Sequence, residues 1–535
     1  MSKGVFNLLH EKWILASDSQ NTLGSFSILE IFERAHELKS LSGELPTQDI
    51  AILRLLLSVL HTVFYRYSPN GDHDELESKS QAIARWSEVW CAHKFPFSLI
   101  RDYLLAYEDR FYLLHDEYPF MQVKSTEGFQ TSEGKAIIAS EKDLNYFIGE
   151  IAESGNKENL FLSRERKNEL SLAETARWLI HLNGFDLSPA GRPPDKGVKI
   201  NRYKSAWLAN LGLVYLQGDT LFETMMLNLK LGSEEEDDYL DEEPIWESQT
   251  QIDGSILEEI NVSIPRNLSK LYSMPFRFVE LVPSDDKKVV SKILIWSGCK
   301  FSEEKNQLVE PMTVWRRVNE DRKPKLHSAE KMIWRDFGAL VIKNQKDTER
   351  PGVLDWIQGL SESVAYDLGV FKVRTVGFES KNNSAVKDIF SDGFSIHSQL
   401  IGRVEEGGWL LRMCDEISAI EDLVKHVGFL ASDLGIAKGG GDKEARHEGR
   451  KAKEQAYTCI DVPFRKWLES IDPEIDNIDT KCNSWREEAK AIIRQLGAEL
   501  VDKSGVQALV GRKLEGKWYT AAEAHIRFLS RVKSI

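Results

Sequence analysis

The chain has 535 residues, 42% hydrophobic and 29% charged, which is the composition of a water-soluble globular protein too long for one ordinary core; two or three domains are expected. A net charge of −15 argues against a free-standing nucleic-acid binder, which carries a net basic footprint, but leaves room for a subunit that presents one basic face within an assembly. Cys91, Cys299, Cys414, Cys459 and Cys482 are scattered and odd in number, which fits free thiols in a reducing cytoplasm.

The N-terminal "MSKGVFNLLHEKWILA" reads as a short hairpin or an extended entry and lacks the apolar core and cleavage site of a secretory signal. "SILEIFERAHEL" and "QDIAILRLLLSVLHTVFYRY" have helical period, and the second is apolar on most faces, as a core helix is. No run approaches the roughly 18 consecutive apolar residues that span a bilayer, so no membrane association is expected. "FPFSLIRDYLLAYEDRFYLL" continues a helical pattern into "FYLLHDEYPFMQV" (111–123). "SLAETARWLIHLNGF" opens with Ser171 followed by Glu174, the two halves of a capping box. "PAGRPPDKG" breaks the chain, and "LANLGLVYLQGDTLFETMMLNL" reads as strand, tight turn and helix. "SEEEDDYLDEE" (233–243) repels itself and reads as a solvated loop. From 262 to 378 β-rich segments dominate, among them "FRFVELV", "SKILIWSG" and "FKVRTVGF". After about residue 400 four amphipathic stretches of helical period follow one another without strand signals, the first two separated by Gly439-Gly440-Gly441; they predict an antiparallel four-helix bundle. The fold class expected is α+β: a mixed α/β domain over 1–400 and a four-helix bundle over 401–535.

Motifs for catalysis are missing. There is no C-x-x-C or H-x-x-x-H for zinc, no G-x-S-x-G, and no phosphate-binding loop; "GVQALVGRK" (505–513) has one residue too many between its glycines. His115, Asp116 and Glu117 tempt as a site, but consecutive residues point in different directions on any regular element, so a structural turn ended by Pro119 is the reading adopted.

"FYLLHDEYPFMQV" closely resembles the "FYL-H-x-E-x-PFMQ" segment of the large subunit (CasA family) of type I-E CRISPR surveillance complexes, Cascade. Further similarities follow in the same order: "NLLHEKWI" near the N-terminus, "GDTLFETMMLNL" (218–229), "VGFESKNNSAVKD" (376–388) and "HEGRKAKEQAYTCIDVPFRKWL" (447–468). The resemblance covers almost the whole chain and is weakest between about 230 and 330.

The resemblance implies a non-catalytic subunit near the 5′ end of the CRISPR RNA. It would recognise a protospacer-adjacent motif (PAM) in double-stranded target DNA and help to part the strands, so that an R-loop forms and a separate helicase–nuclease is recruited in antiviral defence; in RNA-guided effectors generally, protein reads the PAM and base pairing reads the target. Its partners would be CRISPR RNA and the backbone, small and RNA-handle-binding subunits. The family's wedge hairpin falls on Lys381, Asn382, Asn383 and Ser384. The family has Asn-Gln at this tip; Ser384 is too short to replace a stacked base pair, so Lys381 and Asn382 join the candidates. The family's glycine loop, whose backbone lies in the PAM minor groove, falls on Gly191 and Arg192, followed here by two prolines; an Arg can itself read groove width. The family's groove lysine falls on Lys292, with Lys287 and Lys288 as neighbours. A loop to the RNA handle and the adjoining subunit falls on Phe161, Arg164, Arg166 and Lys167. In the bundle, Arg446, Arg450 and Lys453 share a helix face that the family turns to DNA, and Arg512, Lys513, Lys517, Arg527, Arg531 and Lys533 add charge nearby. Some members carry a Cys-rich metal knuckle, whereas the matching stretch here holds only Cys299, so no zinc or other cofactor is expected. The altered tip and glycine loop leave a second reading open: a scaffold that holds CRISPR RNA and partner subunits without reading the PAM.

Overall fold

The computed structural model describes residues 4–123, 129–130, 136–137, 140–144, 169–186, 205–232, 243–248, 261–262, 265, 267–295, 300–301, 310–319, 321–343, 347–363, 368–381, 385–401 and 408–535. The chain forms two compact units: one of residues 1–333, 344–366 and 371–393, the other of 334–343, 367–370 and 394–535.

The first unit is built around one helix, Pro46–Arg66, in which 17 of the 21 residues are buried, from Thr47 to Phe64. Pro at its first turn lacks an N–H that would have no partner there, and Asp49 sits where the helix dipole favours an acid. By length and overall composition over an 18-residue window this helix would suffice to cross a membrane, although Arg54, Ser58, His61 and Thr62 break its apolar run. That window is 94% buried by protein, however, as a core helix requires. Arg54 crosses the core from it to Glu310, with both guanidinium contacts at 2.9 Å and the two side chains 3% and 0% exposed. The pair is satisfied rather than isolated: Trp207 Nε1 donates to the same carboxylate at 2.9 Å, and the Tyr272 ring lies 3.9 Å beneath the guanidinium.

Around this helix stand Leu172–Phe185 and Leu221–Asn228, each started by a capping box (Ser171 with Glu174, Thr220 with Glu223) that satisfies the first backbone N–H groups. Two antiparallel sheets matter for function. In one, Leu213–Gln217 pairs with Val370–Lys381, which pairs with Ala385–His397. In the other, Val289–Ile295 is central: Val279–Pro283 lies along one edge, while Ser140–Asp143 and Leu170–Ser171 share the opposite one.

The helical expectation holds as far as a 3-10 turn at Glu108–Arg110 and fails for 111–114. The helix Phe97–Ala106 ends at Tyr107, and Tyr112–Leu114 is a strand paired with Val5–Asn7. The aromatic run mimics a helix face, but its backbone pairs with a strand over a hundred positions away.

The second unit holds four long helices, Trp409–Ala437, Asp442–Glu469, Ile478–Asp502 and Ala521–Ser534, with the first packed on each of the others. Two additions depart from a plain bundle: a short helix, Gly505–Val510, and a hairpin of Arg512–Leu514 with Lys517–Tyr519. Trp518 and Tyr519 belong to that hairpin, and the last helix starts after them, where Thr520 caps it by accepting from Glu523 N–H. Trp334 ties an earlier part of the chain into this unit: its Nε1 donates to Asp461 at 2.7 Å and its ring lies 4.6 Å from that of Phe464. A single cut in the sequence therefore cannot separate the two units.

Candidate nucleic-acid interface

His115 settles the reading of the His115, Asp116 and Glu117 triplet. Its Nδ1 accepts from the N–H groups of Glu117 (3.1 Å) and Tyr118 (2.9 Å), and its ring stacks between Tyr112 and Tyr118. This is a turn held by its own backbone, and Asp116 faces Lys287 at 3.6 Å. Among the described residues no three His, Cys, Asp or Glu side chains converge as metal ligands would.

Lys292 lies on the central strand Val289–Ile295, opposite Val282 on one neighbour and Asp143 on the other. Its side chain is 54% exposed and its Nζ meets Glu141 at 2.7 Å. An ion pair so wet contributes only about 0–1 kcal/mol, so the lysine can exchange it for an anionic partner at little cost. Lys287 sits in the preceding turn with φ of 54°, and Lys288 pairs with Asp286 at 3.4 Å.

Phe161, Arg164, Arg166 and Lys167 lie outside the described residues, but both flanks of their segment are described. Ser140–Asp143 and Leu170–Ser171 pair with the same strand that carries Lys292, so the segment leaves and rejoins the fold along one strand. Gly191 and Arg192 also lie outside the described residues, and again the flanks meet: Ala206 N–H donates to Asp186 O at 2.8 Å. That root is clamped by Arg277, whose Nε lies 2.5 Å from Asp186 Oδ2, with the two side chains 2% and 7% exposed; Arg277 N–H also donates to Asn183.

One helix connects the two roots. Leu172–Phe185 starts from strand Leu170–Ser171 and ends at Asp186, so 14 residues at ~1.5 Å each set them about 20 Å apart. Its last residue, Phe185, stacks on His181 and packs on Phe378 of the long hairpin, with ring centroids 5.9 Å apart. His181 is buried and accepts or donates to Thr47 Oγ1 at 3.1 Å; burial pushes its ring down to about 3, so it stays neutral.

The hairpin consists of Val370–Lys381 and Ala385–His397; Lys381 ends the first strand, and Asn382, Asn383 and Ser384 lie outside the described residues. Arg374 laces its base, donating to Gln217 Oε1 (3.0 Å) on one neighbouring strand and to Ser391 Oγ (2.7 Å) on the other. Asp49 lies near this base. Burial pushes its carboxyl up to about 7, against the Gly43 N–H that donates to it at 2.7 Å and the charge of Arg374.

In the bundle, Arg446, Arg450, Lys451 and Lys453 are exposed on Asp442–Glu469, whose Ala445, Gly449, Ala452 and Ala456 are buried. Arg450 meets His447 at 3.2 Å, and none of the four forms an ion pair among the described residues. The Lys453 stem lies on Gly428: a Cβ there would meet its Cε at 2.4 Å. Other basic residues have structural roles. Arg512 donates to the carbonyls of Gly439 and Gly440, Arg527 pairs with Asp433 at 2.9 Å, and Arg531 covers the Phe429 ring. The acidic block 233–242 and Cys299 lie outside the described residues.

The contacts that sequence reasoning missed are the tertiary ones: Arg277 with Asp186 and Phe378 with Phe185. Each residue reads as an ordinary member of its own strand or helix, and only the folded chain joins them.

Comparison with known proteins agrees with this architecture. A family model described as CRISPR-associated protein Cse1 matches residues 7–496. The CRISPR-associated protein CasA/Cse1 of Thermus thermophilus is 30% identical over 342 residues, 63% of this chain; the match spans 60% of that relative's length. Among solved structures, Thermobifida fusca Cse1 superposes with a TM-score of 0.80 at 27% identity, covering 99% of this chain and 98% of its own. Acidimicrobium ferrooxidans Cse1 gives 0.76 at 22% identity, covering 100% and 99%, and a chain of a CRISPR RNA-guided surveillance complex gives 0.65 at 17%, covering 99% and 100%; at those identities the likeness is one of fold. The chain belongs to the Cse1 family of CRISPR-associated proteins.

Proposed function

We propose that this chain is the non-catalytic large subunit of a cytoplasmic RNA-guided Cascade complex, in which it recognises a PAM in double-stranded DNA and helps to separate the strands. Its partners are CRISPR RNA, sibling subunits and the target duplex, and a helicase–nuclease joins after R-loop formation. Family membership and the shared fold of a surveillance-complex chain support the assembly. The observation that carries the DNA-opening reading is the long hairpin Val370–Lys381 and Ala385–His397, laced at its base by Arg374 and packed through Phe378 on the helix that leads to Gly191 and Arg192. A polar tip on a braced ribbon suits insertion beside a base pair, because short amides can hydrogen-bond base edges while the strands hold their position. Lys292 supplies an exchangeable cation on the sheet that also roots the 145–168 segment.

The test uses Asn383→Ala and Lys292→Ala in the reconstituted complex, with a closed target duplex and the same target carrying a pre-opened bubble. Both variants are expected to weaken binding to the closed duplex by about tenfold, the worth of one good base or phosphate contact, and to leave the bubble nearly unaffected. Equal losses on both substrates would remove the strand-opening role and favour a scaffold.

A further inference from the structure

Beyond Val376 the hairpin loses its third strand, since the pairing with Leu213–Gln217 runs only from Lys372 to Val376. Residues 377–381 continue as part of a two-stranded ribbon, an element that is soft and twists readily when unsupported. At about 3.3 Å per residue, Lys381 lies some 17 Å past the last three-stranded position. Something must fix the direction of this overhang.

Two consecutive side chains do so from opposite faces, as alternation along a strand requires. Phe378 packs on Phe185 on one face. Glu379 reaches the other way: its Oε1 accepts from Ser328 Oγ at 2.7 Å and from Ala329 N–H at 3.0 Å. The segment it grips is stiff. Ser328 Oγ accepts from Glu330 N–H, and Ser328 O accepts from Lys331 N–H. The start of that segment is fixed to the body, with Lys325 N–H donating to Val314 O at 2.8 Å and Lys325 O so close to Gly212 that a Cβ there would lie 2.0 Å away. Its far end returns to the hairpin, where Ile333 N–H donates to Asp392 Oδ2 at 2.7 Å. Residues 325–333 thus form a strut, seated on the body and bolted to each strand of the hairpin by one carboxylate.

We infer that Glu379 is a positioning residue for strand separation: seated on Ser328 and Ala329, it sets the tilt at which the two strands of the hairpin meet DNA. This rests on the reading of that hairpin as the duplex-opening element. A carboxylate two residues from Lys381 is otherwise unfavourable beside an anionic polymer, so simple electrostatics and the strut make opposite predictions for its removal.

The experiment measures binding of the reconstituted complex to a closed duplex and to a pre-opened bubble for Glu379→Ala, Glu379→Gln, Ser328→Ala and the Glu379→Ala/Ser328→Ala double variant. Loss of a hydrogen-bonded carboxylate is expected to weaken closed-duplex binding about tenfold in Glu379→Ala, with bubble binding unchanged. Glu379→Gln keeps an acceptor oxygen and is expected to stay within about twofold of the parent. The double variant is expected to be no weaker than Glu379→Ala alone, because both act through one contact. Tighter duplex binding by Glu379→Ala, an equal loss on the bubble, or additive losses in the double variant would overturn the inference. Asn383→Ala run alongside separates the two ideas: if it too spares the closed duplex, the hairpin reading fails; if it alone loses duplex binding, only the strut fails.

Discussion

Arg277→Met is the most informative single change at the root of the Gly191–Arg192 segment. It keeps an apolar stem but removes a guanidinium that is 2% exposed and lies 2.5 Å from Asp186 Oδ2, itself on a side chain only 7% exposed. The carboxylate would be left buried without its cation, a loss that costs about 3–5 kcal/mol. Arg277 also donates to the carbonyls of Phe276 (2.9 Å) and Asp186 (3.2 Å), so the upper part of that range applies. Adding Asp186→Asn removes the stranded charge and should restore about 2 kcal/mol, because a neutral amide is far less costly to bury. Urea unfolding of the full chain, followed by tryptophan fluorescence, reads both values. A single variant that loses less than about 1 kcal/mol, or a double variant no more stable than the single, would refute the reasoning.

Acid should destabilise the first unit by a calculable amount. His61 and His181 are held by burial at about 3, far below their ordinary 6.5, so the unfolded chain takes up two protons as pH falls below 6.5 and stability is lost there. Asp49, pushed up to about 7, works the other way and regains stability as pH falls from 7 towards 4. The three together predict a net loss of about 1.5 kcal/mol between pH 6.5 and 5, measurable by urea titration at each pH. His181→Phe should flatten that dependence almost completely, and an unaltered slope would contradict the assignment. In the bundle, Arg446→Ala with Arg450→Ala should weaken DNA binding by the complex for all sequences and lower the salt slope by about 1–2; an unchanged slope would make these residues plain surface.

The helices were legible where local chemistry announces them. Ser171 with Glu174 marks a start that the structure confirms, and the mostly apolar stretch after Asp49 is the buried core helix. Tyr112–Leu114 was not legible as a strand, because its partner Val5–Asn7 lies more than a hundred residues away and its aromatic run satisfies a helical period as well. The discontinuous second unit has the same origin: Trp334 finds Asp461 and Phe464 across a long stretch of chain, and nothing local reports it. For the site, resemblance supplied the segments but not their connections. That Lys292 shares its strand with both flanks of the 145–168 segment, and that Phe185 carries the hairpin through Phe378, are facts of pairing and packing that no spacing in the sequence encodes.

The central claim is tested most directly by reconstituting the complex with its CRISPR RNA and sibling subunits, with and without this chain, and selecting bound molecules from a target duplex library randomised beside the protospacer. The account predicts that a short motif is enriched only when this chain is present. Enrichment of the same motif in its absence, or binding with no motif in its presence, would contradict it.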